Sequence, residues 1–341
     1  MLIESSQSPP SQPWPNTRRR RNDGTALWYG VVAITLVLAT VCAGLAVYTR
    51  FYGLRVEADY PPLGRMLRID GTNLHYIRAG EGRPVVMIHG GAVVLQDFLF
   101  SIFGDVARSF DAIAFDRPGN GHSDRPAGDN LTIATGARII GNALAALGVE
   151  RPIIVGHSYG AAIALQLALD RPERVGGLVL LAPVVYTTSD DVPFPARLAE
   201  TPFIGPMFGN LLLVPAGRGQ LPGHIRESFA PQIPPQGYED TIAAFGLLPR
   251  SFLAWSEERR HFAGDLRALS GRLSELHLPV AIVSGDADPV TPLKDHGERL
   301  HAAIPGSELT ILPGAGHMVH FANPSAVIAA IRRAADNTAK P

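Results

Sequence analysis

Cysteine is almost absent. The 341-residue chain holds one, Cys42, which excludes a disulfide framework and a cysteine-rich zinc site. An excess of either charge is lacking too: 30 basic residues face 31 acidic ones, for a formal net charge of −1. A general nucleic-acid surface is therefore not expected. Only 18% of residues are charged against 46% hydrophobic, too apolar a balance for a disordered chain. No internal repeat, metal motif or nucleotide motif stands out. What is abundant is turn-forming residues, 35 glycines and 29 prolines, which predict many turns around a real core.

Residues 1–25 are rich in Ser and Pro, carry Arg18, Arg19, Arg20 and Arg21, and read as a disordered basic tail. From Ala26 to Tyr48 there is no charge over 23 residues. At about 1.5 Å per residue a helix of that length crosses the roughly 30 Å hydrocarbon layer. A secretory signal is the competing reading, but its apolar stretch is usually about 7–15 residues. A lipoprotein signal would account for Cys42, though Val41 before it fits poorly. An uncleaved single-pass anchor over 26–48 is the expectation, with a linker over 49–64. The arginine cluster before the span, against the sparser Arg50, Arg55, Arg65 and Arg68 after it, predicts a cytoplasmic N-terminus and the remaining chain on the outer, periplasmic or extracellular side.

Beyond Pro61 and Pro62, Arg65–Ile69 and Leu74–Ala79 flank Asp70-Gly71-Thr72, a hairpin closed by an Asp-Gly turn. Short apolar runs follow at Pro84–His89, Ala112–Phe115, Ile153–Val155, Val175–Leu181, Val280–Ser284 and Leu309–Leu312. Between them lie helical patterns, clearest at Ala137–Leu147, Ala161–Leu169 and Ala326–Ala335. Continuous apolar strands separated by helices predict an α/β fold with a mostly parallel sheet covered on both faces. The stretch 184–264 breaks the rhythm with ten prolines and reads as an insertion of short helices, a lid over a site.

Ile153-Ile154-Val155-Gly156-His157-Ser158-Tyr159-Gly160-Ala161 carries the chemistry. Ser158 sits between two glycines where a strand ends and a helix begins, a turn in which any side chain at Gly156 or Gly160 would collide. The helix N-terminus adds partial positive charge where an oxyanion would form. A serine that merely caps a helix is the common alternative.

Five motifs in order and spacing resemble those of the α/β-hydrolase fold family over about residues 65–336: His89-Gly90-Gly91 its oxyanion loop, Asp116–Ser123 its turn after the fourth strand, Ser158 its nucleophile elbow, Gly285-Asp286-Ala287-Asp288 its acid loop, and Gly314-Ala315-Gly316-His317 its histidine loop. The resemblance implies an eight-stranded, mostly parallel sheet with a helical lid. A serine hydroxyl needs an adjacent base, and His317, after an apolar strand and a tight turn, stands where open α/β sheets build sites; His320 is the runner-up. The acid that orients it is, by the family's spacing, Asp288, leaving Asp286 as a turn former. The backbone N–H groups of Gly91 and Tyr159 are the expected oxyanion hole. His157 is expected to point away from the site, His89 to fix its loop by a hydrogen bond, and Asp116 to pair with Arg117.

The elbow serine excludes the family's aspartate-dependent branches. Ala92 and Val93 after Gly91 weaken the carbon–carbon bond hydrolases, which carry Gly-Pro-Gly there. The expectation is a serine esterase or lipase acting on a small-molecule ester with an apolar acyl group, through an acyl-enzyme on Ser158, with no cofactor and no metal. Phe194, Phe203, Met207, Phe208, Leu211, Leu212 and Leu213 in the lid are read either as greasy substrate contacts or as lid packing. Lactonase, amidase, carbon–carbon hydrolase and non-catalytic binding roles remain as alternatives.

Overall fold

The computed structural model describes residues 23–187 and 191–338. Of the disordered tail expected over 1–25, residues 1–22 lie outside the described residues, and 23–25 are helical, opening α1. The chain divides into two compact units, 1–44 and 45–341. Helix α1 (Asp23–Asp59) contains the uncharged stretch, and its 18-residue windows reach a mean hydropathy of 2.5. It is the one described helix long and apolar enough to cross a membrane. The helix does not stop at Tyr48. It runs to Asp59, so most of the stretch expected as a linker is helical; after Tyr60 come Pro61 and Pro62, which cannot extend it.

Eight strands form one sheet: β1 (Arg65–Ile69), β2 (Thr72–Ala79), β3 (Pro84–Ile88), β4 (Asp111–Phe115), β5 (Ile153–His157), β6 (Gly177–Leu181), β7 (Val280–Gly285) and β8 (Glu308–Leu312). Their order is β1-β2-β4-β3-β5-β6-β7-β8. The first two pairings, β1 with β2 and β2 with β4, are antiparallel, and all the others are parallel. Strands β4, β5, β6 and β7 are buried at every position, which is why they read as unbroken apolar runs. Successive side chains alternate between two cores: Val86 and Ile88 enter one, Val85 and Met87 the other.

The first core is closed by α4 (Ile133–Ala146) and α5 (Tyr159–Asp170); α2 (Gln96–Leu99), α3 (Phe103–Ala107) and α14 (Pro324–Thr338) close the second. After β6 the insertion comprises α6 (Phe194–Glu200), α7 (Ile204–Leu211), α8 (Leu213–Gly217), α9 (Leu221–Phe229), α10 (Tyr238–Gly246) and α11 (Pro249–Ser270). Prolines at the first turns of α6, α9 and α11 explain how so proline-rich a stretch is helical. The last helix is not short: at 22 residues it carries the insertion past Gly264 to Ser270. Short helices α12 (Arg299–Ala303) and α13 (Val319–Ala322) flank β8.

Candidate active site

Ser158 links β5 to α5 with φ 51° and ψ −115°, a left-handed conformation that costs a non-glycine residue of order 1–3 kcal/mol. The flanking glycines permit it. A Cβ on Gly156 would lie 2.6 Å from the Ala161 Cα, and one on Gly160 would lie 2.1 Å from the Ile88 carbonyl oxygen. Neither neighbour can yield, because both are backbone. The serine thereby stands at the carboxyl end of the sheet with the first turn of α5 behind it.

Asp288 and His317 come together from the loops after β7 and β8. His317 Nδ1 lies 2.9 Å from Asp288 Oδ2, and both residues are buried. Asp288 is held on every side: Oδ1 accepts the N–H groups of Val290 (2.7 Å) and Thr291 (2.9 Å), and Oδ2 accepts the Thr291 hydroxyl at 2.7 Å. Burial alone would raise this carboxyl, but His317 and the Thr291 donors outweigh it and hold Asp288 below the ordinary carboxylate range. An ionised Asp288 assigns the proton to His317 Nδ1 and leaves Nε2 as the basic nitrogen. Thr291 escaped the sequence reading; the signal available was Asp288 three residues before it, the spacing of an Asx-type turn.

Asp286 occupies the position expected for a turn former. It is exposed, and its Oδ1 accepts the Gly314 N–H at 2.6 Å, tying the two loops together.

A cavity of about 460 Å³ is lined by Ser158, His317, Gly91 and Tyr159 together with Tyr186, Trp255, Glu258 and Thr291. The two residues expected to form an oxyanion hole are neighbours, a Cβ on Gly91 falling 3.9 Å from that of Tyr159. Ala92, next along the loop, has φ 57°. A second, more apolar cavity of about 440 Å³ shares Ala92 and Trp255 with the first and continues among Val93, Leu213, Leu221, Phe245, Leu247 and Phe252. Of the seven lid residues expected to contact substrate or pack, Leu213 alone lines it, whereas Phe194, Phe203, Met207 and Leu212 are exposed.

Two expectations are overturned. Arg117 does not pair with Asp116: it is buried and forms a bidentate pair with Glu258 of α11, while its Nη2 donates to the Gly90 carbonyl at 3.1 Å. Asp116 instead accepts from His75 (2.8 Å) and from the Leu95 N–H (2.9 Å). The two side chains diverge because one sits under the oxyanion loop and the other under the hairpin. Nor does His157 point away. It is buried with its ring centroid 4.9 Å from that of His317 and 4.6 Å from that of His320, and Nε2 donates to the His317 carbonyl at 3.3 Å. His89 behaves as expected: Nδ1 donates to the Gly90 carbonyl (2.9 Å) and Nε2 accepts the Arg117 N–H (3.0 Å). Burial and the Arg117 charge depress it to about 4, so it stays neutral.

Among the described residues, one group has the composition of a metal site: Asp97, His157 and His320, all buried, with ligand atoms within 4.8 Å of one another. Its carboxylate already accepts hydrogen bonds from His320 Nε2 (2.9 Å) and the Tyr238 hydroxyl (2.7 Å). Nothing in the sequence pattern marked Asp97, which lies 223 positions from His320.

A central parallel sheet, an elbow after β5 and a helical insertion after β6 define the class as α/β hydrolase. Residues 83–204 match the family profile described as alpha/beta hydrolase fold. An uncharacterized protein of Mycobacterium tuberculosis is 30% identical over 295 residues, 82% of each chain. A 2-hydroxy-6-oxo-6-phenylhexa-2,4-dienoate hydrolase of Comamonas testosteroni is 29% identical over 73% of this chain and 86% of its own. The crystal structure of an alpha/beta hydrolase fold protein from Burkholderia ambifaria superimposes with a TM-score of 0.67 at 25% identity, covering 79% of this chain and 97% of that one. The chain belongs to the α/β-hydrolase fold family.

Proposed function

We propose that this protein is a serine hydrolase that cleaves carboxylic esters with an apolar acyl group, within a domain spanning residues 65–336. The observation that carries the reading is the Asp288–His317 hydrogen bond, whose imidazole lines the same cavity as the strained Ser158. His317 Nε2 takes the Ser158 proton as Oγ attacks the ester carbonyl carbon. The N–H groups of Gly91 and Tyr159 stabilise the tetrahedral oxyanion, at about 2.7–4 kcal/mol per well-aimed donor. Collapse breaks the ester C–O bond, and the leaving alcohol takes its proton from His317. Water, deprotonated by the same imidazole, then releases the acid and restores Ser158. Asp288 stabilises the imidazolium at each stage.

The apolar second cavity supports an acyl group rather than a polar one, and α1 supports a site working close to a bilayer. The arginine cluster supports an N-terminus on the cytoplasmic side with the hydrolase domain outside. The relationship to a dienoate hydrolase favours a second reading, carbon–carbon bond hydrolysis by the same three residues; Ala92 and Val93 in the oxyanion loop weigh against it.

A fluorophosphonate probe and a panel of p-nitrophenyl esters of rising chain length test the proposal. The expected result is labelling at Ser158, ester turnover that increases with acyl length, and loss of both in Ser158→Ala. Folded wild-type protein that neither reacts with the probe nor turns over any ester would overturn it, and turnover of a dienoate alone would favour the second reading.

A further inference from the structure

The hydrolytic mechanism leaves one buried carboxylate unused. Asp97 is fully buried in α2, eight residues after His89. Four segments that carry the site converge on it. The oxyanion loop supplies Asp97 through the chain that follows it. The elbow contributes His157, whose Nδ1 lies 3.7 Å from Asp97 Oδ2. His320, three residues after His317, donates to Oδ2, and Tyr238 of lid helix α10 donates to Oδ1. Gly90 packs directly on His157, since a Cβ there would lie 2.9 Å from Nδ1. A cluster this buried and this polar is costly unless it fixes something.

We propose that Asp97 is a positioning residue for the hydrolytic site: by holding His320, against which the His157 ring packs, it keeps the histidine loop in register. The inference rests on the reading of Ser158 and His317 given above. His157 is the connecting piece. Its Nε2 donates to the His317 carbonyl, and its ring packs in tilted contact with those of both His317 and His320. With that N–H committed, Nδ1 keeps a lone pair, and no hydrogen-bond donor reaches it among the described residues. Burial first, and then the neighbouring histidines, keep the His157 imidazole far below its ordinary pKa and therefore neutral. Asp97 is opposed by burial but held at about 2 chiefly by His320, with the Tyr238 hydroxyl adding to it, so an ionised carboxylate holds His320 one ring away from His317. The other titratable groups facing that imidazole are Asp288 from the β7 loop and His296 from the segment after it. His89 faces Asp97 from the end of β3 and is neutral.

The test compares Asp97→Asn and His320→Gln in the full chain, using ester kcat and KM together with thermal stability. Both folded variants should lose at least about tenfold in kcat with KM held within about twofold, the signature of a displaced base. A structural role alone lowers thermal stability and leaves the kcat of the folded protein within about twofold of wild type. Folded Asp97→Asn or folded His320→Gln with wild-type kcat would overturn the proposal; the latter decides if Asp97→Asn does not fold. Stoichiometric zinc in the purified protein that disappears in both variants would also overturn it, in favour of a metal site. Wild-type protein that leaves the fluorophosphonate probe unreacted overturns the hydrolase reading instead, an outcome distinct from labelled wild type with indifferent variants.

Discussion

Arg117, just beyond β4, and Glu258, in the middle of α11, close a bidentate ion pair with side chains 1% and 6% exposed. The pair ties the lid to the oxyanion loop, because the same guanidinium holds the Gly90 carbonyl and lies 4.7 Å over the Tyr159 ring. Removing one partner strands the other charge, so Arg117→Met or Glu258→Leu should each cost about 3–5 kcal/mol, whereas the double variant should return near wild-type stability. Denaturant unfolding of the three proteins measures this. Ester kcat should fall in the stable double variant, since Gly90 has lost its tether one residue before Gly91.

The two aspartates of the β7 loop separate cleanly. Asp288→Asn leaves an amide facing His317 and should lower kcat by about 10³–10⁴-fold through the wrong imidazole tautomer. Asp286→Asn keeps an oxygen able to accept from Gly314, and should cost less than about tenfold. Steady-state kinetics on one good ester decide it; equal losses would mean that the acid is misassigned.

The choice of Asp288 over Asp286 came from the resemblance to the family's acid loop, whereas the elbow around Ser158 is a local property of the chain. Gly156 and Gly160 are required by contacts with Ala161 and Ile88, so the elbow is written in nine consecutive letters. The strands were legible for a related reason: β4 to β7 are buried on both faces, so their central positions are apolar and polar side chains such as Asp111, His157 and Ser284 fall at or near their ends. Arg117–Glu258 and Asp97–His320 were not legible. They join residues 141 and 223 positions apart, and charge type alone suggested the adjacent Asp116 as the partner of Arg117. The length of α1 was missed because its last 11 of 37 residues, beyond Tyr48, carry charges typical of a linker; they are held by packing, with Val56 buried in one cluster with Phe245 and Leu248.

His89 sets a pH dependence of stability. Its folded pKa of about 4 lies below an unfolded value of about 6.5, so between these limits the unfolded chain binds more protons. The stabilisation is complete above about pH 6.5 and is lost as pH falls toward 4, up to about 3 kcal/mol for this group. His157 acts in the same direction. Urea unfolding between pH 7 and 4.5 should therefore show a falling midpoint. His89→Gln, which can still accept from Arg117 and donate to Gly90, should flatten part of that slope.

The apolar cavity beyond Ala92 and Trp255 makes the acyl preference testable without touching the reacting groups. Leu213 is 7% exposed and lines that cavity but not the one holding Ser158. Leu213→Trp adds bulk where a chain would extend, so it should reject long acyl groups while leaving the chemistry of short ones intact. A hydrophobic pocket discriminates at about tenfold or more per misplaced methylene, so the ratio of kcat/KM for p-nitrophenyl decanoate over butyrate should fall by at least about tenfold. Butyrate turnover should stay within about twofold of wild type. A uniform loss on both esters would mean that the tryptophan has disturbed the lid rather than filled the chamber, and an unchanged ratio would show that the acyl chain lies elsewhere.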